Sequence, residues 1–191
     1  MSQTDLLELL NKVQTDFYTN NGGKNILFKN NQKQKCTESI TNQFNLYDLL
    51  KSTVYIIPNT NKIYLNYLLF KTFANNSNNN EIIDYIIELL CQCINTYGQY
   101  EMHINLHSFS ISAAERYKSS IQLFCEKCYS LNNTCNVNFA GMLIHMYIYN
   151  TPSVISTITQ LFKPFIDPLL NQKLIFITKD QSPLLLEQLL V

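Results

Sequence analysis

Three histidines and six cysteines are the side chains of this 191-residue chain best suited to chemistry, and their spacing decides what that chemistry would be. His103 and His107 fall four apart in a β-rich run, on one side of a strand, and His145 lies in a second such run. A three-imidazole cluster is therefore open to them, but so is the plainer role of core or cavity-wall histidines with satisfied hydrogen bonds. Cys125-x-x-Cys128 has the spacing of a metal knuckle, yet it sits in a helical pattern with no second pair, and the helical pair Cys91 and Cys93 points to different faces. With Cys36 and Cys135, we read these as free thiols of a reducing compartment and expect no metal. The four glycines, Gly22, Gly23, Gly98 and Gly141, are too dispersed for a phosphate-cradling loop, and no GxSxG elbow occurs. No catalytic constellation emerges, so the chain is expected not to be an enzyme.

The elements that must position a site are clearest from Leu143 to Thr178. Leu143–Tyr149 is an apolar run of the kind buried in a parallel sheet. Asn150 breaks it, Thr151 can cap a helix and Pro152 fits a first helical position. Val154, Ile155, Ile158, Leu161, Phe162 and Phe165 then recur on one helical face, opposite Ser153, Ser156, Thr157, Gln160 and Lys163. Pro164 and Pro168 end that helix, and Lys173–Thr178 forms the next strand. No Asp, Glu, Lys or Arg occurs between Lys127 and Lys163. Such a helix either packs a sheet as an ordinary crossover or lids an apolar cavity, and periodicity leaves both open.

Upstream, Thr4–Phe17 reads as an amphipathic helix, and Lys24–Asn45 as a polar connector running over the surface. Thr53–Pro58 and Lys62–Phe70 read as a hairpin turning at Asn59-Thr60-Asn61, and Asn75–Asn80 as a solvated loop. Glu81–Tyr97 and Ser112–Tyr129 read as helices flanking a strand at Tyr100–Leu106, and Ser182-Pro183 opens a last helix. This alternation predicts an α/β fold: a mostly parallel mixed sheet of about five strands flanked by helices. Residues 1–52 are expected to form an N-terminal helix and connector, and 53–191 the domain proper.

Hydrophobic residues make up 46% of the chain and aromatics 12%, enough for a packed core. Fourteen basic residues balance fourteen acidic ones, which argues against nucleic acid as a partner. The start has no basic n-region and no stretch of eighteen apolar residues occurs, so a soluble, cytoplasmic protein is expected, peripheral at membranes.

Asn150-x-Pro152, the amphipathic helix, Lys163-Pro164-Phe165-Ile166-Asp167-Pro168 and Lys173 opening a strand together resemble the signature of the CRAL-TRIO lipid-binding domain. His103 to Ser112 resembles that family's central strand and turn, with Asn105 in place of the usual Asp and Ser108 in place of the usual Gly. The resemblance runs from Val54 to the C terminus. It implies that the helix is a gate over a lipid cavity, with Ile104, Leu106, Val154, Ile155, Ile158, Leu161, Phe162 and Phe165 against acyl chains. It also offers Lys173 to a headgroup phosphate. The family's acidic partner and threonine for that lysine fall at Gly141 and Leu170, and its phosphocholine-binding Ser/Thr positions at Tyr100 and Met102, so headgroup specificity does not carry over. The short N-terminal segment resembles the divergent, stand-alone branch without the full helical bundle. The implied ligand is a phospholipid or other hydrophobic molecule, with transient membrane contact, lipid transfer and no further cofactor. The alternative is a protein-interaction module of the BCH type, meeting a small GTPase or another protein partner.

Overall fold

Leu6 and Leu10 repeat at helical spacing and are buried on the inner side of α1 (Gln3–Asn20) in the computed structural model, which describes residues 3–24, 29–135 and 137–191. The predicted surface connector is instead largely helical. Its residues 25–28 lie outside those described, but α2 (Lys29–Gln43) follows, with Cys36 and Ile40 buried one turn apart. Asn45 Oδ1 accepts from Tyr47 N at 2.9 Å and caps α3 (Leu46–Thr53).

β1 (Val54–Ile56) and β2 (Lys62–Asn66) form the predicted hairpin, turning through Asn59 at φ +59°. The run expected to stay extended to Phe70 stops at Asn66. Its side chain accepts from Leu68 N at 3.0 Å and starts α4 (Tyr67–Phe73). The Asn-rich stretch is not a solvated loop either. Asn75 and Asn78 cap a 3-10 turn reciprocally, and buried Asn78 donates to Phe73 O at 3.0 Å. After these come α5 (Asn79–Tyr97), closed by Gly98 at φ +74°, and then β3 (Tyr100–Asn105) and α6 (Ile111–Cys135). The chain continues through α7 (Phe139–Met142), β4 (Leu143–Tyr149), α8 (Ile155–Phe162), α9 (Pro168–Asn171), β5 (Leu174–Phe176) and α10 (Ser182–Leu190).

The five strands lie in sequential order, antiparallel between β1 and β2 and parallel thereafter. Right-handed crossovers in a sequential sheet send the connecting helices to one face. There Ile63, Tyr100 and Met102 pack with Leu6, Ile40, Leu50, Phe73 and Leu90 in the main core. On the other face the register sets Tyr55, Tyr64, His103 and Tyr147 side by side across four strands. β4 is less buried than its composition predicts: only Leu143, Ile148 and Tyr149 are fully buried, because its middle lies near the thinly covered end of the sheet beside the three-residue β5.

Candidate functional site

The candidate gate helix, α8, begins one turn later than Thr151 and Pro152 suggest. Asn150 sits at φ +52°, and Thr151 Oγ1 donates back to Ile148 O at 2.8 Å, so it is not available as a cap. The chain then turns through Ile155 N to Pro152 O at 3.0 Å before the helix starts. Ile158 and Phe162 are buried against Ala114 of α6, with Ile155, Leu161, Phe165 and Ile166 partly buried around them, while Val154 is exposed. This small cluster stands apart from the main core. Among the described residues only Phe109 and Ile121 flank both. Ile104 and Leu106 lie at the rim of the main core, so the candidate chain-contact residues form two groups meeting at that seam. Sequence reading missed Ala114, Phe109 and Ile121; Ala114 and Ile121, two helical turns apart on α6, were the available signal.

The strand ends beside the seam are tied by side-chain amides. Asn150 Nδ2 donates to Asn105 Oδ1 at 2.8 Å, Asn105 Nδ2 donates to Tyr64 Oη at 3.2 Å, and His107 N donates to Asn105 Oδ1 at 3.1 Å. Ser108, at the position where the motif usually has glycine, takes the left-handed φ of +64°. Asn150 N also donates to Ser182 Oγ at 2.7 Å, fixing the start of α10.

The strand expected over Lys173–Thr178 is shorter, so Lys173 stands immediately before β5, and its ammonium is engaged. It donates to the carbonyls of Ala140 at 2.7 Å and Gly141 at 3.2 Å, and to that of Leu143. An ammonium has three N–H donors, so none is left for a phosphate in this arrangement. A side chain at Gly141, where the usual motif has its acidic partner, would displace the Asn138 cap of α7, since a Cβ there would lie 2.6 Å from Asn138 Nδ2. Tyr100 and Met102 are buried in the main core, and Tyr100 Oη donates to Phe139 O at 2.9 Å.

The histidines do not converge. His103 is buried, stacked on Tyr147 with centroids 4.7 Å apart, its Nδ1 2.9 Å from Tyr149 Oη and its Nε2 3.3 Å from Glu101 Oε2. Burial lowers its pKa, and Glu101 opposes that shift. His107 lies in the exposed turn beyond β3. Among the described residues no group of three or more His, Cys, Asp or Glu side chains is placed to hold a metal ion. The six cysteines are free, and burial pushes Cys125 up to about 11 and Cys128 to about 12. A recess of about 460 Å³ is lined by α1 and its following turn, including Asn11, Gln14, Tyr18 and Lys24, none of them a candidate above. Among the described residues no helix is long and apolar enough to cross a membrane.

A family model of the CRAL/TRIO domain matches residues 59–189. Comparison with the curated proteins finds no match. Among solved structures 17 chains match. One, "Crystal structure of Sfh5", is 16% identical with a TM-score of 0.49, over 77% of this chain and 57% of that one. The match thus spans little more than half of that structure's chain.

Proposed function

The chain belongs to the CRAL/TRIO domain family, and from that membership we propose that it binds a lipid or other hydrophobic ligand under α8, without a catalytic step. The observation that carries this reading is the separateness of the α8 cluster, in which Ile158 and Phe162 rest on Ala114 outside the main core. Lifting α8 exposes those two large side chains, at about 1.5–3 kcal/mol each. A long acyl chain entering the gap recovers about 0.8 kcal/mol per methylene, on the order of 10 kcal/mol in all. The ligand term wins, so α8 can open for a chain and otherwise stay shut.

In this reading Ile104 and Leu106 form the inner wall, and Val154, Ile155, Ile158, Leu161, Phe162 and Phe165 the gate. Lys173 holds the turn behind the gate instead of a headgroup. In this reading the exposed Val154 and Leu169 (the latter 48%) meet a membrane interface as α8 lifts, in keeping with carriage of lipid between membranes. Exposed Leu184, Leu185 and Leu190 on α10 favour a second reading, a BCH-type interaction surface for a protein partner.

Native mass spectrometry of the purified protein, with uptake of a fluorescent phospholipid, tests the choice. A co-purified lipid mass and saturable uptake are expected. Apo mass alone, with no uptake, transfers the function to the interaction reading.

A further inference from the structure

Lys71 on α4 and Arg116 on α6 flank the Tyr67–Tyr117 ring pair on the helical side of the sheet. Tyr67 and Lys71 stand four apart on α4 and share a face. The Tyr67 ring meets Tyr117 edge-on, with centroids 6.2 Å apart, and the Arg116 guanidinium lies 4.9 Å from the Tyr117 ring centre. Tyr67's pKa is raised by burial, and Arg116 works against that rise through its charge and a hydrogen bond to the Tyr67 hydroxyl. That bond leaves the rest of the guanidinium, Nε included, for another partner. Lys71 Nζ donates to Ser108 Oγ at 2.7 Å, at the turn that leads into α6. Burial lowers the Lys71 pKa, and the Arg116 charge lowers it further.

Among the described residues neither cation takes part in an ion pair. Among the described residues the ion pairs are His103 with Glu101 and Lys127 with Asp84, and Arg116 Nε is buried without an acceptor. Like charges drawn together around an unmet donor are unfavourable unless an anion completes them.

We propose that Lys71, Arg116 and Ser108 form a binding site for a phosphate group. The planar guanidinium offers paired donors, the ammonium a mobile point charge and the serine a hydroxyl, a set matched to phosphate oxygens. The place is also apt. Tyr67 meets Phe109 edge-on at 4.8 Å, and Phe109 lies in the seam beneath α8. A phosphate here sits at the polar end of that seam, well suited to a phospholipid whose chains lie under the gate; a soluble phosphorylated compound offers the same chemistry. Only the choice of source rests on the lipid-binding reading.

The test uses the full chain. Its melting temperature and heat of binding are followed against inorganic phosphate at constant ionic strength, with chloride as the control. Flotation is measured with vesicles of phosphatidylcholine alone and of phosphatidylcholine doped with phosphatidic acid. Phosphate is expected to raise the melting temperature, since it binds only the folded state. Lys71→Gln and Arg116→Gln are each expected to weaken phosphate about tenfold or more, with Arg116→Lys retaining part of the affinity. Lys71 is only partly buried, so Lys71→Gln stays informative if an Arg116 variant folds poorly.

Preference for phosphatidic acid vesicles, competed by inorganic phosphate, identifies a headgroup as the source. Phosphate binding without vesicle preference identifies a soluble compound. Absence of any phosphate effect, or equal affinity in both Gln variants and wild type, overturns the site. Uptake of a neutral fluorescent acyl lipid is expected to survive Lys71→Gln, so failure of the phosphate site and failure of the lipid reading are told apart.

Discussion

Asn150 donates its side-chain amide to Asn105 Oδ1 at 2.8 Å, joining the C-terminal ends of two neighbouring parallel strands. Asn105 in turn reaches Tyr64 on β2, so one amide ties three strands where α6 and α8 depart. Asn105→Ala strands the Asn150 amide and is expected to cost about 1–2 kcal/mol. Asn105→Asp keeps both acceptor contacts and can accept a hydrogen bond from the Tyr64 hydroxyl, so it is expected to be near neutral. Urea unfolding of both variants decides; an aspartate as harmful as the alanine would make donation to Tyr64 the dominant bond.

Lys173 has become a structural residue. Lys173→Ala releases three backbone carbonyls at the junction of α7 and β4 and is expected to lower stability by about 1–3 kcal/mol. Binding to anionic and neutral vesicles is expected to change little. A selective loss of anionic binding with unchanged melting temperature would restore Lys173 to the headgroup.

Phe162 separates a gate from a packed crossover helix. It is 8% exposed, so Phe162→Asp buries an unpaired carboxylate unless α8 opens. If α8 opens as a unit, the stability loss is capped at the cost of that local opening, about 3–6 kcal/mol for its two buried side chains, while lipid uptake falls by about tenfold or more. Insolubility of the variant beside a stable wild type would mark α8 as part of the global core.

His103 gives the fold a pH dependence with a defined sign. Burial lowers its pKa in the folded chain, whereas the unfolded imidazole titrates near about 6.5. Below that value the unfolded state takes the proton first, so stability falls with pH and returns as pH rises. Melting temperatures are expected to drop between about pH 7.5 and about pH 5.5, and His103→Asn to flatten that slope. A flat wild-type profile would mean that Glu101, 3.3 Å away, cancels the burial effect.

The sheet, α5, α6, α8 and α10 were legible because their apolar residues repeat with a clear period. α2 was not: Cys36 and Ile40 are its only buried apolar side chains, too few to draw a stripe among so many polar residues. α4 was hidden because Tyr67–Phe70 has the aromatic and branched composition of a strand, and the deciding signal was a single cap, Asn66. The gate face was readable and its counterpart was not, since the Ala113–Tyr117 stripe of α6 serves the main core and masks the second stripe through Ala114. The engagement of Lys173 was unreadable because α7 is too short to show any period. The Tyr67–Tyr117 contact that sets Lys71 and Arg116 on either side of it is made only by the tertiary fold.

The sequential strand order also sets a history for the molecule. Each strand from β2 onward is laid beside the one made just before it, so a chain emerging from the ribosome always finds its docking edge already present. The buried members of the main cluster all fall between Leu6 and Leu143, before α8 is made. In the order of synthesis the frame can therefore pack before α8 exists. The small cluster of Ile158 and Phe162 on Ala114 is then added to a core that already has all its buried members.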